Sequence, residues 1–349
     1  MNPPRIAVVG AGYFAAFHLE GWQACGTPAV ALCDIDPGPL EAQAHRFGVD
    51  RTFTDLQTLL DGVEPTLVDV VLPPQAQHEV VSAVLARGIP VICQKPFGHD
   101  LRQARELAAL AARQHTPLVV HENFRFTPWF RECRRLIDQG HFGRVHGIAF
   151  RLRPGDGQGP RAYLDRQPYF QRMPQMLVRE TAVHFIDTFR YLLGEVRAVT
   201  ARLRRLNPVI AGEDAALIHF EFDDDRTGLF DGNRLNEHVA QDPRRTMGEM
   251  WLEGEAGVLR LDGDARLWFK PQGGSEAEHP YERGGAGAFG GACTALQAHV
   301  LSHLAHATPL ENDAASYLAN LAVQAAIYHS HATGRRVVMD HFDPDTPAA

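Results

Sequence analysis

Lysine is nearly absent from this 349-residue sequence, in which Lys95 and Lys270 are the only two lysines among 34 basic residues. The net charge is −8 and no cluster of basic residues occurs, which argues against a partner that is bound through nucleic-acid phosphates. Apolar runs of membrane-spanning length are also absent. The first predicted strand begins almost at Met1, so we expect no signal peptide.

Cysteines are few, and their spacing matches neither a CxxC motif nor a zinc site. At least two of them fall on apolar strands, as buried and reduced residues of a cytoplasmic protein would. We therefore expect a cytoplasmic protein that binds no membrane and no metal ion. The five cysteines are Cys25, Cys33, Cys93, Cys133 and Cys293.

The N-terminal third alternates short β-rich runs with helical patterns, which is typical of βαβ units around a parallel sheet. Its predicted strands are 5–9, 30–33, 68–72, 91–94 and 118–121. Its predicted helices are 14–25, 39–47, 77–87 and 101–114. The pattern therefore predicts a Rossmann domain over residues 1–122.

A different pattern follows, and it predicts an α+β domain over 123–340 with a large, mostly antiparallel open sheet. Its predicted strands are 145–152, 198–203, 216–222, 227–231, 249–254 and 258–262. Its predicted helices are 128–139, a helix ending at Leu193, and 314–332. We expect the last helix to pack back toward the first domain.

The segment Gly10-Ala11-Gly12-Tyr13-Phe14-Ala15 lies between the first strand and the first helix, as in dinucleotide-binding loops. The first glycine permits a tight turn, the second allows close approach of a pyrophosphate, and Ala15 allows close helix–strand packing. Asp34 ends the second strand at the spacing expected for a ribose-binding carboxylate. Asp36 is better placed as the cap of a helix that starts at Pro37. No arginine follows Asp34 to bind a 2′-phosphate, which favours NAD over NADP.

Lys95 follows a predicted strand, and ligands of open α/β sheets lie beyond the carboxyl ends of the strands. A lysine there places an ammonium group, whose pKa shifts readily when buried, beside a nicotinamide. Pro73, Pro74 and His78 follow the neighbouring strand, where they would contact the cofactor. The alternative is that the prolines begin a helix and that His78 caps it or lies on its surface.

Glu180, His184 and Asp187 are spaced i, i+4 and i+7, so a regular helix would place them on one face. Oxidation of an alcohol by a nicotinamide requires a proton acceptor, for which histidine is well suited. We predict this role for His184, with Lys95 orienting the hydroxyl and Glu180 orienting His184 or a substrate hydroxyl. A solvated helix face remains the alternative.

These residues, together with Asn123-Phe124-Arg125-Phe126, resemble the glucose-fructose oxidoreductase, inositol dehydrogenase and MocA-like family over nearly the whole chain. The resemblance implies that Lys95, Glu180 and His184 form the catalytic set. It implies a cis bond between Lys95 and Pro96 and a homodimer or homotetramer. Substrate binding is implied for Lys95, Asn123, Arg153, Glu180 and His184. Cofactor binding is implied for Gly10, Gly12, Tyr13, Phe14, Ala15, Asp34, Pro73, Pro74, His78, Gln94, Lys95 and Asn123.

This chain departs from the family pattern at two positions, since Gln94 replaces a glutamate before Lys95 and Glu180 replaces an aspartate. Six arginines lie between Arg151 and Arg179. They would either form a lid for an acidic sugar or serve as ordinary surface charges.

The sequence therefore predicts an NAD-dependent dehydrogenase that oxidises a secondary alcohol, or reduces the ketone, of a sugar, polyol or sugar derivative, with NADP as a less favoured cofactor. Three rivals stay open. They are NAD-dependent glycoside hydrolysis through a transient oxidation, a non-catalytic cofactor-binding regulator, and an NADPH-linked reductase.

Overall fold

A computed structural model describes residues 3–285 and 288–345. The chain forms two compact units. The first contains the residues up to Asn123 together with Cys293–Ala319, and the second contains Phe124–Ala292 together with the residues from Asn320 onward.

The first unit is a parallel six-stranded sheet flanked by helices. Its strands are β1 (Ile6–Val9), β2 (Ala31–Cys33), β3 (Thr52–Phe53), β4 (Leu67–Val70), β5 (Val91–Gln94) and β6 (Leu118–His121). Its helices are α1 (Ala15–Ala24), α2 (Pro37–Phe47), α3 (Leu56–Val63), α4 (Pro74–Leu85), α5 (Leu101–Arg113) and all but the first residue of α8 (Ala292–His306). The strand order β3-β2-β1-β4-β5-β6 reverses between β1 and β4, the point at which doubly wound sheets bind ligands.

Strands β1, β2, β4, β5 and β6 of this sheet are buried along their whole length, because helices cover both faces. Their sequences are accordingly almost continuous apolar runs. Burial of each aliphatic side chain stabilises the folded state by about 1.5–3 kcal/mol. Three polar residues interrupt these runs: Asp69, Gln94 and His121. Because a buried polar group requires a hydrogen-bonding partner, we expect each of these three side chains to take part in a hydrogen-bond network inside the first unit.

The second unit is built on a nine-stranded sheet of order β14-β13-β12-β11-β7-β10-β9-β8-β15. Its strands are β7 (Val145–Leu152), β8 (Ala198–Arg204), β9 (Ala215–Glu221), β10 (Thr227–Asn233), β11 (Gly248–Gly254), β12 (Gly257–Leu261), β13 (Leu267–Pro271), β14 (Ala277–His279) and β15 (Val337–Val338). Its helices are α6 (Pro128–Asp138), α7 (Val183–Leu193) and the greater part of α9 (Ala314–Thr333). Every pairing is antiparallel except that of β7 with β10.

Strands β8, β9 and β10 alternate between buried and more exposed residues, as expected when one face of a sheet packs on a core. Large side chains from the covered face, such as Phe220 and Phe230, pack in one core with Phe185 and Phe189 of α7. The core therefore fixes α7, which carries His184.

The predicted fold class is confirmed. The sequence patterns missed the short strands β3, β13, β14 and β15 and the helices α3 and α8. Strands β3 and β14 contain no buried residue, so their sequences lack the apolar runs that reveal the central strands. None of the helices in the described part of the chain has the length and hydrophobicity required to cross a bilayer.

Candidate active site

The glycine loop has the geometry that its sequence predicts. Gly10 has φ +103°, and a Cβ added there would lie 2.3 Å from the carbonyl oxygen of Val71. A Cβ added at Gly12 would meet no atom within 4 Å. Ala15 is fully buried at the start of α1. Gly10 is thus required by the turn itself, whereas the space around Gly12 is open to a ligand.

Asp34 holds this loop through its carboxylate. Its Oδ2 accepts a hydrogen bond of 2.7 Å from the backbone N–H of Ala11, and its Oδ1 accepts one of 2.9 Å from that of Asp36. Asp36 caps α2 by accepting from the N–H of Gly38, with Pro37 as the first helical residue, so the predicted cap is confirmed.

Lys95 lies directly after β5 and is only 8% exposed. The Lys95–Pro96 peptide bond is cis, as the family resemblance implied. The ammonium nitrogen of Lys95 lies 6.0 Å from the centre of the Phe14 ring, within the range of a cation–π interaction. The strand end and the glycine loop therefore lie side by side in the first unit.

Gln77, which the sequence reasoning missed, fixes the backbone around Lys95. Its amide nitrogen donates to the carbonyl oxygens of Leu72 and Gln94 at 3.0 and 2.7 Å. Its amide oxygen accepts from the N–H of Gly98 at 2.8 Å. This fully buried side chain connects the ends of two neighbouring strands with the loop that follows Lys95.

A buried polar network lies behind Lys95, and sequence reasoning missed three of its members, His18, Trp22 and Asp69. The side-chain oxygen of Gln94 accepts from the backbone N–H of Lys95 at 2.7 Å, and its Nε2 lies 2.9 Å from Nε2 of His18. Nδ1 of His18 lies 2.8 Å from Oδ2 of Asp69, which also accepts from Nε1 of Trp22. A charged residue inside the buried strand β4 was the signal available in the sequence.

The pKa of Asp69 is shifted by opposing effects. Burial would raise it, but the interaction with His18, the hydrogen bonds from His18 and Trp22 and the proximity of His121 bring the pKa below its usual value. Asp69 is therefore a buried carboxylate. Burial also raises the pKa of the neighbouring Cys93 thiol, and the charge of Asp69 raises it further, which disfavours the reactive thiolate form.

The other residues predicted in the first unit are spread more widely. Pro73 and Pro74 begin α4, as the structural alternative for these prolines has it. His78 lies on α4, and Nε2 of its partly exposed ring lies 3.2 Å from a carboxylate oxygen of Glu106. The side-chain amide of Asn123 donates to Sγ of Cys293 at 3.3 Å. Cofactor contacts of these four residues stay a prediction.

In the second unit, Glu180 and His184 are 4% and 6% exposed, so they do not lie on a solvated helix face. Glu180 belongs to a π-helical turn, Val178–Ala182, that leads into α7. Such turns are rare and occur frequently at functional sites. The sequence predicted a regular helix here, because an i→i+5 turn leaves no distinct periodicity. The predicted end of α7 at Leu193, before Gly194, is confirmed.

The motif around Phe124 and Arg125 supports α7. The ring of Phe124 stacks on the imidazole of His184 with centroids 4.0 Å apart and planes 6° from parallel. Arg125 donates two hydrogen bonds of 2.7 Å to the fully buried carboxylate of Asp187, which also accepts from Asn320. Asp187 is thus a partner of Arg125, and Phe124 fixes the plane of the His184 ring.

Charged residues hold the π-helical turn from both sides. A carboxylate oxygen of Glu213 accepts from the N–H of Val178 at 3.0 Å. The buried guanidinium of Arg234 donates to the hydroxyl of Thr181 at 2.6 Å and forms an ion pair with Asp156. These contacts hold the backbone on which Glu180 lies.

Two of the six arginines, considered as either a lid or ordinary surface charges, form contacts within the second unit. Arg153 donates to the carboxylate of Asp231 at 2.6 Å and to two carbonyl oxygens, and it is 7% exposed. Arg166 pairs with Asp156 at 2.7 Å. These contacts give both side chains structural roles, and binding of substrate by Arg153 stays a prediction.

The residues of the first unit fit a dinucleotide. The positive φ of Gly10, the open space at Gly12 and the carboxylate of Asp34 supply the turn, the approach and the acceptor that a bound NAD needs. Lys95 contributes a buried ammonium group beside the loop. This arrangement suits hydride chemistry at an alcohol or carbonyl.

Comparisons with known proteins agree with this geometry. Residues 4–122 match the family model described as "Oxidoreductase family, NAD-binding Rossmann fold", and residues 130–260 match the GFO/IDH/MocA C-terminal domain.

Similar proteins cover almost the whole chain. D-apiose dehydrogenase of Paraburkholderia graminis is 29% identical over 98% of the chain and 91% of its own length. D-apiose dehydrogenase of Rhizobium rhizogenes is 27% identical over 97% and 98%. An oxidoreductase from Agrobacterium radiobacter, crystallised with NAD⁺, L-tartaric acid and magnesium, is 26% identical with a TM-score of 0.88, covering 97% of this chain and 99% of that one. The chain therefore belongs to the GFO/IDH/MocA oxidoreductase family and is an NAD-dependent dehydrogenase.

Proposed function

We propose that this protein oxidises a secondary alcohol of a sugar or polyol, or reduces the corresponding ketone, with D-apiose as the first substrate to test. The position of Lys95 carries the proposal, because a buried ammonium group follows β5 beside the glycine loop. The two full-length similarities to D-apiose dehydrogenases support the carbohydrate class.

A bound NAD would supply the acceptor for the hydride of the substrate carbon, or its donor in the reverse direction. The chain itself must bind the hydroxyl and remove its proton. We assign to Lys95 a hydrogen bond to the substrate oxygen, whose developing negative charge its ammonium group stabilises. We assign to His184 the acceptance of the hydroxyl proton, with its ring plane held by Phe124. We assign to Glu180 a neighbouring substrate hydroxyl.

The experiment is a panel of D-apiose, other pentoses, inositols, polyols and sugar acids, each offered with NAD⁺ and with NADP⁺. The proposal predicts reduction of NAD⁺ by at least one carbohydrate, followed as the near-ultraviolet absorbance of the reduced nicotinamide. Turnover of a non-carbohydrate alcohol alone would contradict the substrate class. Cleavage of a glycoside without net NAD⁺ reduction would favour the hydrolase instead.

We also propose that the protein is a cytoplasmic homodimer or homotetramer. All five cysteines are free thiols, as a reducing compartment keeps them. On the outer face of the nine-stranded sheet, Leu217 and Leu229 are 49% and 38% exposed on the paired strands β9 and β10. Apolar residues exposed together on a sheet face suit contact with a second copy.

Light scattering during gel filtration tests this assembly. Leu217→Asp combined with Leu229→Asp should shift the mass toward that of a monomer, because a charge at the contact opposes burial. Leu206→Asp is the control, since Leu206 is equally exposed but lies beyond the end of β8. A wild-type protein that is monomeric at all concentrations would refute the assembly.

A further inference from the structure

The polar network behind Lys95 contains Gln94, one of the two residues at which this chain departs from the pattern that the family resemblance implies. Gln94 is 8% exposed, and His18 and Asp69 are completely buried. All of these residues belong to the first unit. An arrangement of this kind requires every donor to find an acceptor.

The donors and acceptors can be assigned without ambiguity. The backbone N–H of Lys95 is only a donor, so the atom of Gln94 that faces it must be the amide oxygen. The amide nitrogen of Gln94 therefore faces Nε2 of His18 and donates to it. Nε2 of His18 must then be unprotonated, and the imidazole proton lies on Nδ1, where it is donated to Asp69.

We propose that Gln94 is a positioning residue for Lys95, held by neutral His18 and through it by the buried carboxylate of Asp69. The role deepens the proposed function and rests on the catalytic role assigned there to Lys95. Gln94 acts on the backbone of Lys95, while Gln77 fixes the carbonyl of Gln94 and the N–H of Gly98. The backbone on both sides of the Lys95 side chain is thus held by buried amides.

This assignment shows what glutamine does at position 94 that the glutamate implied by the family resemblance would not. A glutamate at position 94 could still accept from the N–H of Lys95, but its second oxygen would need a proton from Nε2 of His18. His18 would then carry two protons between two carboxylates. Glutamine keeps the imidazole neutral, and it keeps an additional negative charge away from Lys95.

A spectroscopic measurement tests the assignment on the wild-type protein. Long-range ¹H–¹⁵N spectra of ¹⁵N-histidine-labelled protein, with His18 identified from the signals missing in His18→Phe, should show a protonated Nδ1 and a bare Nε2. In Gln94→Glu the same ring should show two protonated nitrogens. A wild-type ring protonated at Nε2 would overturn the proposal.

Kinetics test the positioning role. Gln94→Leu removes the acceptor for the N–H of Lys95, and kcat should fall on the order of 10- to 100-fold while KM changes much less. Gln94→Glu should recover most of kcat, because it restores that acceptor. Asp55→Ala is the control, since it removes the cap of α3, outside this network, and should lower Tm without changing kcat or the His18 spectrum.

The failure of this inference can be distinguished from failure of the proposed function. Full activity of Lys95→Ala would refute the catalytic role of Lys95 and the positioning role with it. An inactive Lys95→Ala together with a folded, fully active Gln94→Leu would overturn the positioning role alone.

Discussion

The ammonium nitrogen of Lys95 lies 6.0 Å from the centre of the Phe14 ring, which joins the end of the fifth strand to the loop that opens the first helix. A lysine and a glycine loop that are far apart in the sequence are thus neighbours in one unit. The parallel sheet brings them together, because the carboxyl ends of its strands meet at one edge.

The two glycines of the loop should respond differently to the same substitution. Gly10→Ala places a Cβ 2.3 Å from the Val71 carbonyl oxygen, at a φ of +103°. We therefore expect the free energy of unfolding to fall by about 1–3 kcal/mol and Tm to fall with it. Gly12→Ala meets no protein atom, so Tm should stay unchanged while the Kd for NADH rises. Thermal unfolding and NADH fluorescence measure the two effects. Equal NADH affinity of Gly12→Ala and wild type would contradict the loop assignment.

Asp34 and Asp36 form a second matched pair. Asp34→Ala should weaken NAD binding and reduce the preference for NAD over NADP, because the ribose loses its acceptor. Asp36→Ala removes a helix cap, which costs about 1 kcal/mol, and should leave the preference unchanged. Kd values for both cofactors decide the matter. An unaltered preference in Asp34→Ala would refute the ribose role.

Removing one partner of the Arg125–Asp187 ion pair should destabilise the protein much more than replacing both partners with apolar residues. Asp187→Ala leaves a largely buried guanidinium without its carboxylate and should destabilise the protein by about 3–5 kcal/mol. Arg125→Met combined with Asp187→Leu should recover much of that loss, since no charge is left buried. Urea denaturation measures both variants. A double variant no more stable than Asp187→Ala would contradict this account of the pair.

Asp156 should make the second unit sensitive to acid. Burial would raise its pKa, but Arg234 and Arg166 bring the pKa below the usual value. A lowered pKa in the folded state means that the unfolded chain binds more protons, so this stability is present above about pH 4 and is lost as the pH falls further. Asp156→Asn should be less stable than wild type at neutral pH, and its stability should fall less steeply as the pH is lowered.

Thermal unfolding as a function of pH measures this difference. Asp165→Asn is the control, because the Asp165 side chain is 81% exposed in an ordinary surface pair with Arg161. If Tm of Asp156→Asn fell as steeply with decreasing pH as that of wild type, this ion pair would not govern stability in acid.

The sequence predicted the first sheet well because strands buried on both faces must be largely apolar, as Ile6–Val9 and Ala31–Cys33 are. It could not predict Thr52–Phe53, which pairs at the edge of the sheet with neither residue buried. Elements with no buried face leave no hydrophobic pattern in the sequence.

The candidate site shows the same division. Gly10, Asp34 and Lys95 were predicted because motif spacing and strand ends locate them. His18, Asp69 and Gln77 were not, because their partners lie on other elements and only the strand order brings them into contact. The π-helical turn at Glu180 was missed because local backbone widening depends on tertiary contacts such as Glu213 with Val178.

The turnover of Lys95→Met at saturating carbohydrate and NAD⁺, compared with its Kd for NADH, tests the central claim most directly. We predict that kcat falls by about 10²- to 10³-fold while NADH still binds, because the ammonium group stabilises negative charge that develops on the substrate oxygen. A Lys95→Met enzyme that turns over at the wild-type rate would contradict the account.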